Sequence, residues 1–531
     1  MSLPPLIVAM LRPEFYPHDP ATVTLVQTHI SYVLLAGDEV YKIKKPVRFT
    51  FLDFSTLERR KHFCHEEVRL NRRLAADIYR GVVTICRDGD HYRLGSADER
   101  GALEYAVHMR RLPDDRLLDH LLDRGAVTRE MIEQVAVRLV EFHRDADAGA
   151  AVTANGDPAA IRRILEDNYN GVRPFREVTI AAADDDAIQA FSAAFLRRNE
   201  PLFRRRQAQH RIRDGHGDLH SEHVCFSDGL VIFDCIEFNR QFRYCDVASE
   251  IAFLAMDLEF HGRADLASHL IASYAARAGD AELPRLMGFY RCYRAYVRGK
   301  VDSLKSRETE VNESERSEAR ASAERHFALA YRYTWVDQAC VIAICGLSGA
   351  GKSVIAALLH ERTGYRHVNS DVVRKQLAGV APATRRTAQY DEGIYTAEHS
   401  AATYRAMFEL VGEELAAGRG SIVDATFQRR SDRDALRAVA ARRRVPLLFV
   451  ECRCSEAEIR RRIERRVGEA GTVSDADWNV YVAQRDRFEA FTPAEARDRM
   501  TIDSSRGPEV EAREIEAEAR TRWFSSADEE R

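Results

Sequence analysis

The chain has 531 residues, more than one hydrophobic core usually holds, so two or three domains are expected. Apolar residues make up 45% of the sequence and charged residues 31%, which excludes a disordered or fibrous chain. The 79 basic and 83 acidic side chains leave a formal net charge of −4, which excludes a global electrostatic attraction to nucleic acid or to an anionic membrane.

The first residues, MSLPPLIVAMLRP, lack the basic start and the unbroken apolar run of a signal peptide. No stretch of the sequence reaches the ~20 apolar residues that cross a bilayer. The ten cysteines are scattered and lack the spacing of a zinc site or a redox pair. We therefore expect a cytoplasmic protein with reduced thiols and no membrane partner.

The N-terminal part of the sequence begins with strand-like stretches and continues as a mainly helical region. The strand patterns are VTLVQTHISYVLLAGDEVYKIKK, GVVTICR, HYRLG and LEYAVHMRRL, and STLERRKHFCHEEVRLNRRLA predicts a helix among them. A small mixed lobe followed by a larger helical lobe predicts a bilobal domain. A cleft between two such lobes is where ligands usually bind.

A polar, helix-prone segment lies between residues 305 and 325, and the apolar run QACVIAICG follows it. This change of character predicts a boundary near Trp335, with domains at 1–335 and 336–531. In the second domain the apolar runs VIAICG, SIVDATF and PLLFVEC alternate with helical stretches. That alternation predicts a parallel sheet with helices on both faces.

The segment GLSGAGKS, residues 346–353, fits the P-loop pattern G-x-x-x-x-G-K-[ST] and lies between an apolar strand and an apolar helix. Glycines allow backbone N–H groups to turn toward phosphate oxygens, and the helix N-terminus adds its positive end. The pattern predicts ATP with Mg²⁺ at this loop, with Lys352 on the β and γ phosphates and Ser353 on the metal. The residues predicted to bind the nucleotide are Gly346, Ser348, Gly349, Ala350, Gly351, Lys352 and Ser353.

Three further side chains of the second domain fit phosphoryl transfer. Asp424 ends the strand SIVD and is a candidate Mg²⁺ ligand, with a turn or helix-cap role as the alternative. Asp371 lies at the end of a predicted strand about twenty residues after the P-loop, where a carboxylate can accept the proton of an attacking hydroxyl. Arg374 follows one helical turn later and can clamp an anionic acceptor.

The motifs GLSGAGKS, S-D-x-x-R at 370–374, VDATF and EIRRRIERR resemble the small P-loop kinases that include polynucleotide kinase, zeta toxins, gluconate kinase and chloramphenicol phosphotransferase. The resemblance covers the last ~195 residues and implies phosphoryl transfer without naming the acceptor. It also implies a lid helix whose arginines contact the transferred phosphate. We assign Arg462 and Arg466, four residues apart on one helical face. Arg461 and Arg465 are the competing pair, and a solvated basic face is the other interpretation.

A second constellation is HGDLH at residues 216–220, followed by the strand GLVIFD. It resembles the aminoglycoside phosphotransferases and choline-kinase-like proteins, which share the protein kinase fold. The resemblance implies that Asp218 orients or deprotonates the acceptor hydroxyl, that Asp234 holds Mg²⁺ against the phosphates, and that His216 braces the loop. His223 occupies the position where the family usually has an asparagine as second metal ligand. An imidazole is a less natural Mg²⁺ ligand than an amide oxygen.

The same resemblance assigns residues of the small lobe. Lys42 in VYKIKK matches the lysine that pairs the α and β phosphates, and Glu67 in the following helix matches the glutamate that holds it. Lys44, on the same strand face, and Glu66 are the alternatives. Asp246 matches an aspartate with a structural role. The family's glycine-rich loop is missing before Lys42, where the sequence reads QTHISYVL.

The order of the two domains also looks like a bacterial family described as an aminoglycoside phosphotransferase-like domain fused to a P-loop ATPase domain. The leading hypothesis is an ATP- and Mg²⁺-dependent phosphotransferase with two nucleotide-binding domains, which acts on a hydroxylated small molecule. One alternative is a polynucleotide 5′-hydroxyl kinase, suggested by SDVVR and by the arginines of 203–213. Another is a nucleotide-gated regulatory protein with a non-catalytic N-terminal domain, suggested by His223 and the missing glycine loop.

Overall fold

The computed structural model describes residues 3–49, 52–97, 99–308, 312–381, 396–467 and 477–524. The chain divides into two compact units, Met1–Ala330 and Tyr331–Arg531, called here the first and the second unit. In the part of the chain that is described, no helix has the length and apolar character to cross a membrane.

The first unit begins with a lobe built on a six-stranded antiparallel sheet. The strands of this lobe are β1 Val23–Gln27, β2 Ser31–Ala36, β3 Glu39–Lys44, the two-residue strands β4 Arg48–Phe49 and β5 Leu52–Asp53, β6 Tyr79–Asp88, β7 His91–Gly95 and β8 Glu104–Arg110. The spatial order in the large sheet is β1-β2-β3-β8-β6-β7, and β4 pairs with β5. Two helices accompany the sheet, α1 Pro5–Met10 and α2 Leu57–Asn71.

The two faces of this sheet bury different sets of side chains, as strand alternation requires. On one face Val40 and Val107 pack with Cys64 and Val68 of α2. On the other face the strand residues pack against Ile7 and Met10 of α1. Both faces are therefore covered, and the strands between the covering helices stay in a fixed register.

The second lobe of the first unit is mainly helical. Its helices are α3 Leu118–Asp123, α4 Arg129–Asp145, α5 Ala150–Thr153, α6 Pro158–Val172, α7 Ala182–Arg198, α8 Glu200–Ala208, α9 Arg240–Arg243, α10 Val247–Phe260, α11 Ala264–Ala278, α12 Met287–Lys305 and α13 Glu313–Tyr333. The division between the two units falls within the last turn of α13. Its short strands are β9 Ile212–Asp214, β10 Val224–Phe226, β11 Leu230–Ile232 and β12 Tyr244–Asp246, which form the pairs β9–β12 and β10–β11. Every residue of α10 from Val247 to Leu258 is buried, so α10 is the central helix of the lobe.

A buried ion-pair cluster anchors α8 and α10. Arg206 is completely buried, and its guanidinium donates to Asp246 Oδ2 at 2.6 Å and to Asp280 Oδ1 at 2.7 Å. Asp246 also caps α10, since its Oδ1 accepts the Ala248 N–H at 2.8 Å. These contacts agree with the structural role expected for Asp246 and place one arginine of the basic stretch in the core.

The second unit is built on a five-stranded parallel sheet. Its strands are β13 Val341–Cys345, β14 Arg366–Asn369, β15 Ser421–Asp424, β16 Leu447–Arg453 and β17 Arg499–Asp503, in the spatial order β14-β15-β13-β16-β17. Its helices are α14 Lys352–Thr363, α15 Ser370–Leu377, α16 Ala397–Ala416, α17 Arg430–Arg443, α18 Glu456–Val467, α19 Trp478–Arg487 and α20 Pro508–Phe524.

The central strand β13 is buried along its whole length, which explains its continuous apolar sequence. Val341 and Ala343 belong to a core cluster with Met407 and Leu415 of α16. The alternate residues point to the opposite face, where α14 packs on β13 and against α20. The predicted fold class is confirmed: a bilobal protein-kinase-like fold in the first unit, and a P-loop NTPase sheet flanked by helices in the second.

The Arg206 cluster gives a stability prediction. Arg206→Met leaves Asp246 and Asp280 buried without their counter-charge, so we expect the first unit to lose about 3–5 kcal/mol of unfolding free energy. Hydrogen exchange of α10 amides in the full chain measures this loss. Arg205→Met is the matched control, because Arg205 is half exposed and its pair with Glu282 should contribute at most about 1 kcal/mol. Equal protection of α10 in both variants would contradict the prediction.

Candidate functional site

The loop between β13 and α14 has the backbone conformation that a P-loop requires. Gly346 and Gly351 have φ values of +132° and +87°, a region that favours glycine. A Cβ on Gly346 would lie 2.7 Å from the carbonyl oxygen of Cys452, so no side chain fits there. Helix α14 begins at Lys352, directly after Gly351. The positive end of this helix therefore closes the loop.

Lys352, Ser353 and Asp424 lie together at this loop. The Lys352 ammonium donates to the backbone oxygen of Leu347 at 3.0 Å, so the side chain folds back over the loop. Burial raises the pKa of the Asp424 carboxyl, but hydrogen bonds from His367 and Ser353 and the charge of Lys352 lower it overall. A buried carboxylate beside a hydroxyl is an oxygen donor set that fits Mg²⁺.

Asn369 and His367 of β14 complete this edge of the sheet. The Asn369 side chain donates to Asp424 Oδ2 at 2.6 Å, and its oxygen accepts the Asp371 N–H at 2.9 Å as the N-cap of α15. His367 Nε2 lies 3.4 Å from Asp424 Oδ2. Asn369 thus ties the predicted metal ligand to the helix that carries the predicted base.

Asp371 and Arg374 are brought together in α15. The Arg374 guanidinium donates to Asp371 Oδ1 at 2.7 Å, one helical turn away. Asp371 is 24% exposed at its side chain and Arg374 is 12% exposed. The predicted base and the predicted anion clamp therefore form an ion pair, which holds the carboxylate in a fixed orientation.

The arginines of helix α18 differ in whether they contact the P-loop, which helical spacing alone did not decide. A Cβ on Gly351 would lie 2.9 Å from Nη1 of Arg462, so this guanidinium lies against the P-loop. Arg462 also donates to the backbone oxygen of Ser504 at 2.6 Å. Arg461 is 77% exposed, and Arg465 is exposed as well. Arg466 belongs to α18, but its side chain lies outside the described residues.

Helix α19 contributes a residue that the sequence analysis missed. Gln484 is buried, and its Oε1 accepts the backbone N–H of Ser348 at 2.9 Å. Tyr481 of the same helix packs with Ile459 and Ile463 of α18. A neutral carboxamide oxygen therefore occupies a P-loop amide that could otherwise bind a phosphate oxygen.

The first unit contains a cavity of about 1800 Å³ lined by both of its lobes. Apolar residues of the sheet, such as Val33, Val40 and Met109, form one wall. Four of the predicted site residues form a polar wall: Lys42, Asp218, His223 and Asp234, with His220 and Glu237 beside them. Glu67, also predicted, is completely buried and contacts Lys42. A cavity with an apolar wall and a few converging charges fits a small-molecule site.

Lys42 joins the two lobes at this cavity. Its ammonium lies 2.5 Å from Asp234 Oδ1 and 3.0 Å from Glu67 Oε1. Burial lowers the pKa of Lys42, but Asp234, Glu67 and Glu237 raise it well above its usual value. The lysine is therefore charged and held beside the strand-end aspartate.

Lys44 shares the same glutamate. Its ammonium donates to Glu67 Oε2 at 2.6 Å and also contacts Glu237, and its side chain is 1% exposed. Lys42 is 14% exposed and lines the cavity, so Lys44 supports the site from inside the core. Glu66 lies at the surface in an ion pair with Arg69.

His216 and Glu250 brace the HGDLH loop. His216 Nε2 lies 2.8 Å from the backbone oxygen of Phe233, which precedes Asp234. Glu250 Oε1 accepts the backbone N–H groups of His216 and Gly217, at 2.6 and 2.5 Å. Burial lowers the pKa of His216 to about 4, so this imidazole is neutral at physiological pH. The loop is therefore held against the strand segment that carries Asp234.

Two imidazoles surround the two aspartates of this site. His220 Nε2 lies 3.5 Å from Asp218 Oδ2, and His223 Nε2 lies 3.6 Å from Asp234 Oδ2. Burial raises the pKa of Asp218, but His220 and His223 lower it well below its usual range. Asp234 has φ = +60°, a left-handed conformation that is rare outside glycine and is typical of functional sites.

Six residues at these sites were not predicted from the sequence: His220, Glu237, Glu250, His367, Asn369 and Gln484. His220 is the last residue of HGDLH, and Asn369 directly precedes S-D-x-x-R, so closer attention to the motif edges would have found both. Glu237 follows Asp234 by three residues and becomes relevant only through its contact with Lys44. No local pattern identifies Glu250 or Gln484, because both act through long-range contacts.

Comparison with known proteins identifies similar chains. Residues 341–491 match the family model described as an AAA domain. A protein of Mycobacterium tuberculosis (strain ATCC 25618 / H37Rv), described as uncharacterized, is 32% identical over 458 residues, which cover 86% of this chain and 88% of that protein. An uncharacterized protein of Mycobacterium bovis (strain ATCC BAA-935 / AF2122/97) matches with the same identity and coverage.

Two solved structures illustrate the structural comparison. The GDP complex of aminoglycoside 2′-phosphotransferase-IIIa is 15% identical with a TM-score of 0.36, and the match covers 61% of this chain and 97% of that one. The APS kinase of Mycobacterium tuberculosis, in complex with AMPPNP and APS, is 20% identical with a TM-score of 0.25, covering 34% of this chain and 96% of that one. These TM-scores are below 0.5, so the likenesses by themselves assign nothing.

The Gln484 contact gives a pair of opposite predictions. Gln484→Ala frees the Ser348 amide, so a nucleotide phosphate no longer competes with the side chain, and we expect up to about fivefold tighter binding of a non-hydrolysable ATP analogue. Gln484→Glu places a negative charge at the same amide and should weaken binding. Calorimetric titration with Mg²⁺ present measures both. Weaker binding by Gln484→Ala would show instead that the carboxamide itself contacts the nucleotide.

Proposed function

This chain belongs to the family of those mycobacterial proteins, and we propose that it is an ATP- and Mg²⁺-dependent phosphotransferase with two nucleotide-binding domains, residues 1–335 and 336–531. The γ-phosphate of ATP passes to a hydroxyl group of a small molecule. The observation that carries the proposal is the P-loop of the second unit, where the charge of Lys352 acts on Asp424 and the Arg462 guanidinium lies against Gly351. Glycine conformation, ammonium, carboxylate and guanidinium are therefore gathered at one loop.

In the second unit, the loop amides and Lys352 bind the phosphates of ATP. Ser353 and Asp424 offer oxygen ligands that fit Mg²⁺, which when bound neutralises charge on the phosphates. The acceptor oxygen bonds to the γ-phosphorus, the bond to the β–γ bridging oxygen breaks, and ADP leaves. Asp371 takes the acceptor proton.

The arginines complete this site by neutralising charge. Arg462 lies against Gly351, close to where the phosphates are expected. Arg374 faces Asp371 and orients it before an acceptor binds. Arg466 remains a predicted member of the lid, outside the described side chains. Preorganised cations of this kind stabilise the transferred phosphoryl group more than the ground state.

In the first unit, Lys42 pairs with the α and β phosphates, and Glu67 keeps it in place. Asp234 and His223 would hold a metal ion, which would neutralise phosphate charge, and Asp218 orients or deprotonates the acceptor. The cavity of about 1800 Å³ has room for a nucleotide and a small acceptor together.

The polynucleotide alternative receives little support from the arginines of 203–213. Each has a protein partner: Arg204 with Glu200, Arg205 with Glu282, Arg206 with Asp246 and Asp280, Arg211 with the backbone oxygens of Ala278 and Gly279, and Arg213 with that of Ala146. A basic stretch whose charges are already engaged offers less to a phosphate backbone. We therefore propose a small-molecule acceptor.

Removal of the P-loop ammonium or of the base tests the proposal directly. Lys352→Ala and Asp371→Asn should each lower transfer from labelled ATP to a metabolite mixture by about 100-fold or more for every product of the second unit. Asp218→Asn is the companion variant. Products made by the first unit should disappear in Asp218→Asn and persist in the two variants of the second unit. Unchanged product spectra in all three variants would refute both assignments.

The lid assignment has its own matched pair. Arg462→Ala removes the guanidinium next to Gly351 and should lower turnover by about 100-fold. Arg461→Ala changes an exposed arginine of the same helix and should leave turnover within about twofold. Steady-state rates at saturating ATP compare the two. If both variants lose activity equally, α18 contributes through its general charge and the specific role of Arg462 fails.

A further inference from the structure

The donor atoms around His223 point to a particular class of metal ion. Asp218, His220 and His223 offer ligand atoms that all lie within 4.8 Å of one another. Asp234 adds a carboxylate oxygen 3.6 Å from His223 Nε2. The rings of His220 and His223 are 4.1 Å apart between centroids. Two imidazoles and two carboxylates therefore converge on the polar wall of the first-unit cavity.

The orientation of the His223 ring is fixed by the backbone. Its Nδ1 lies 2.8 Å from the carbonyl oxygen of Asp218. Because a carbonyl oxygen only accepts, Nδ1 carries the proton, and Nε2 of the neutral ring is left as a lone-pair donor. That lone pair faces Asp234 Oδ2, while Oδ1 of the same carboxylate takes the Lys42 ammonium.

The separation of these two donors suits a shared metal ion. At 3.6 Å, His223 Nε2 and Asp234 Oδ2 are too far apart for a good hydrogen bond. Two ligands that each lie about 2.1 Å from a tetrahedral metal ion are about 3.4 Å apart, close to the distance observed. One metal ion could therefore bind both His223 Nε2 and Asp234 Oδ2 with little movement of either side chain.

The chemistry of the donors selects the ion. Mg²⁺ prefers oxygen ligands in octahedral geometry, whereas imidazole suits the later first-row transition ions. We propose that the first unit binds a divalent transition ion such as Co²⁺ or Zn²⁺ in preference to Mg²⁺, through His223 Nε2 and Asp234 Oδ2, with Asp218 and His220 as neighbouring ligands. The second unit keeps its oxygen site at Ser353 and Asp424 for Mg²⁺.

This inference takes the location of the site from the proposed function, but its test needs neither nucleotide nor activity. Metal-stripped full-length protein carrying Asp424→Asn, which removes the oxygen site of the second unit, is titrated with Co²⁺ in excess Mg²⁺. One Co²⁺ per chain is expected to bind, with an intense visible absorption band that distinguishes a four-coordinate site from octahedral oxygen ligation. Absence of Co²⁺ binding in excess Mg²⁺ would overturn the proposal.

A variant pair assigns the ligand. His223→Asn supplies an amide oxygen in place of the imidazole and should weaken Co²⁺ binding by at least about tenfold while improving Mg²⁺ binding. His91→Asn changes an exposed histidine of β7 and should leave both affinities unchanged. Equal Co²⁺ affinity in the two variants would refute the assignment. If His223→Asn folds poorly, the absorption band of the Asp424→Asn protein still decides between a four-coordinate site and an octahedral oxygen site. Loss of ATP turnover with Co²⁺ binding retained would count against the proposed function alone.

Discussion

Both units depend on a lysine ammonium held close to an aspartate near the end of a β-strand. In the first unit Lys42 lies between Asp234 and the buried Glu67. In the second unit Lys352 folds over the P-loop and lowers the pKa of Asp424. In the first unit this is an ion pair that includes a buried partner, and removing one partner from such a pair is costly. The position of each lysine therefore fixes where positive charge is available in its unit.

The surrounding structure serves to hold these carboxylates in place. Glu250 and His216 tie the HGDLH loop to the segment before Asp234, and Asn369 ties Asp424 to the start of α15. In the parallel sheet, β14 and β15 end side by side next to the P-loop. Ligands of open parallel sheets bind at this carboxyl edge, because the helix N-termini and strand ends meet there. The fold of each unit thus delivers fixed charges and amide donors to one place.

The sequence predicted the parts of the site whose chemistry lies in consecutive residues. The P-loop can be recognised because its glycines, lysine and serine follow one another between a strand and a helix. The strand-rich first lobe and the parallel sheet of the second unit followed from the spacing of apolar residues. Asp424 and Asp371 could be proposed because strand ends mark the ligand edge of such a sheet.

The remaining features required tertiary packing. Helical spacing left Arg462 and Arg461 equivalent, and only the packing of Ile459 on the P-loop decides which arginine faces inward. Only the family resemblance preferred Lys42 to Lys44, because residues two apart on a strand share a face and both reach Glu67. Gln484 follows the P-loop by more than a hundred residues, and nothing near it in sequence indicates its contact with Ser348.

The number of nucleotides bound by one chain tests the central claim most directly. Equilibrium titration of the full chain with a non-hydrolysable ATP analogue, with Mg²⁺ and Co²⁺ both present, should give two molecules per chain. Lys352→Ala and Lys42→Ala should each reduce this number to one, and the double variant should reduce it to none. A stoichiometry of one that disappears with a single substitution would mean that only one lysine–aspartate pair forms a polyphosphate site.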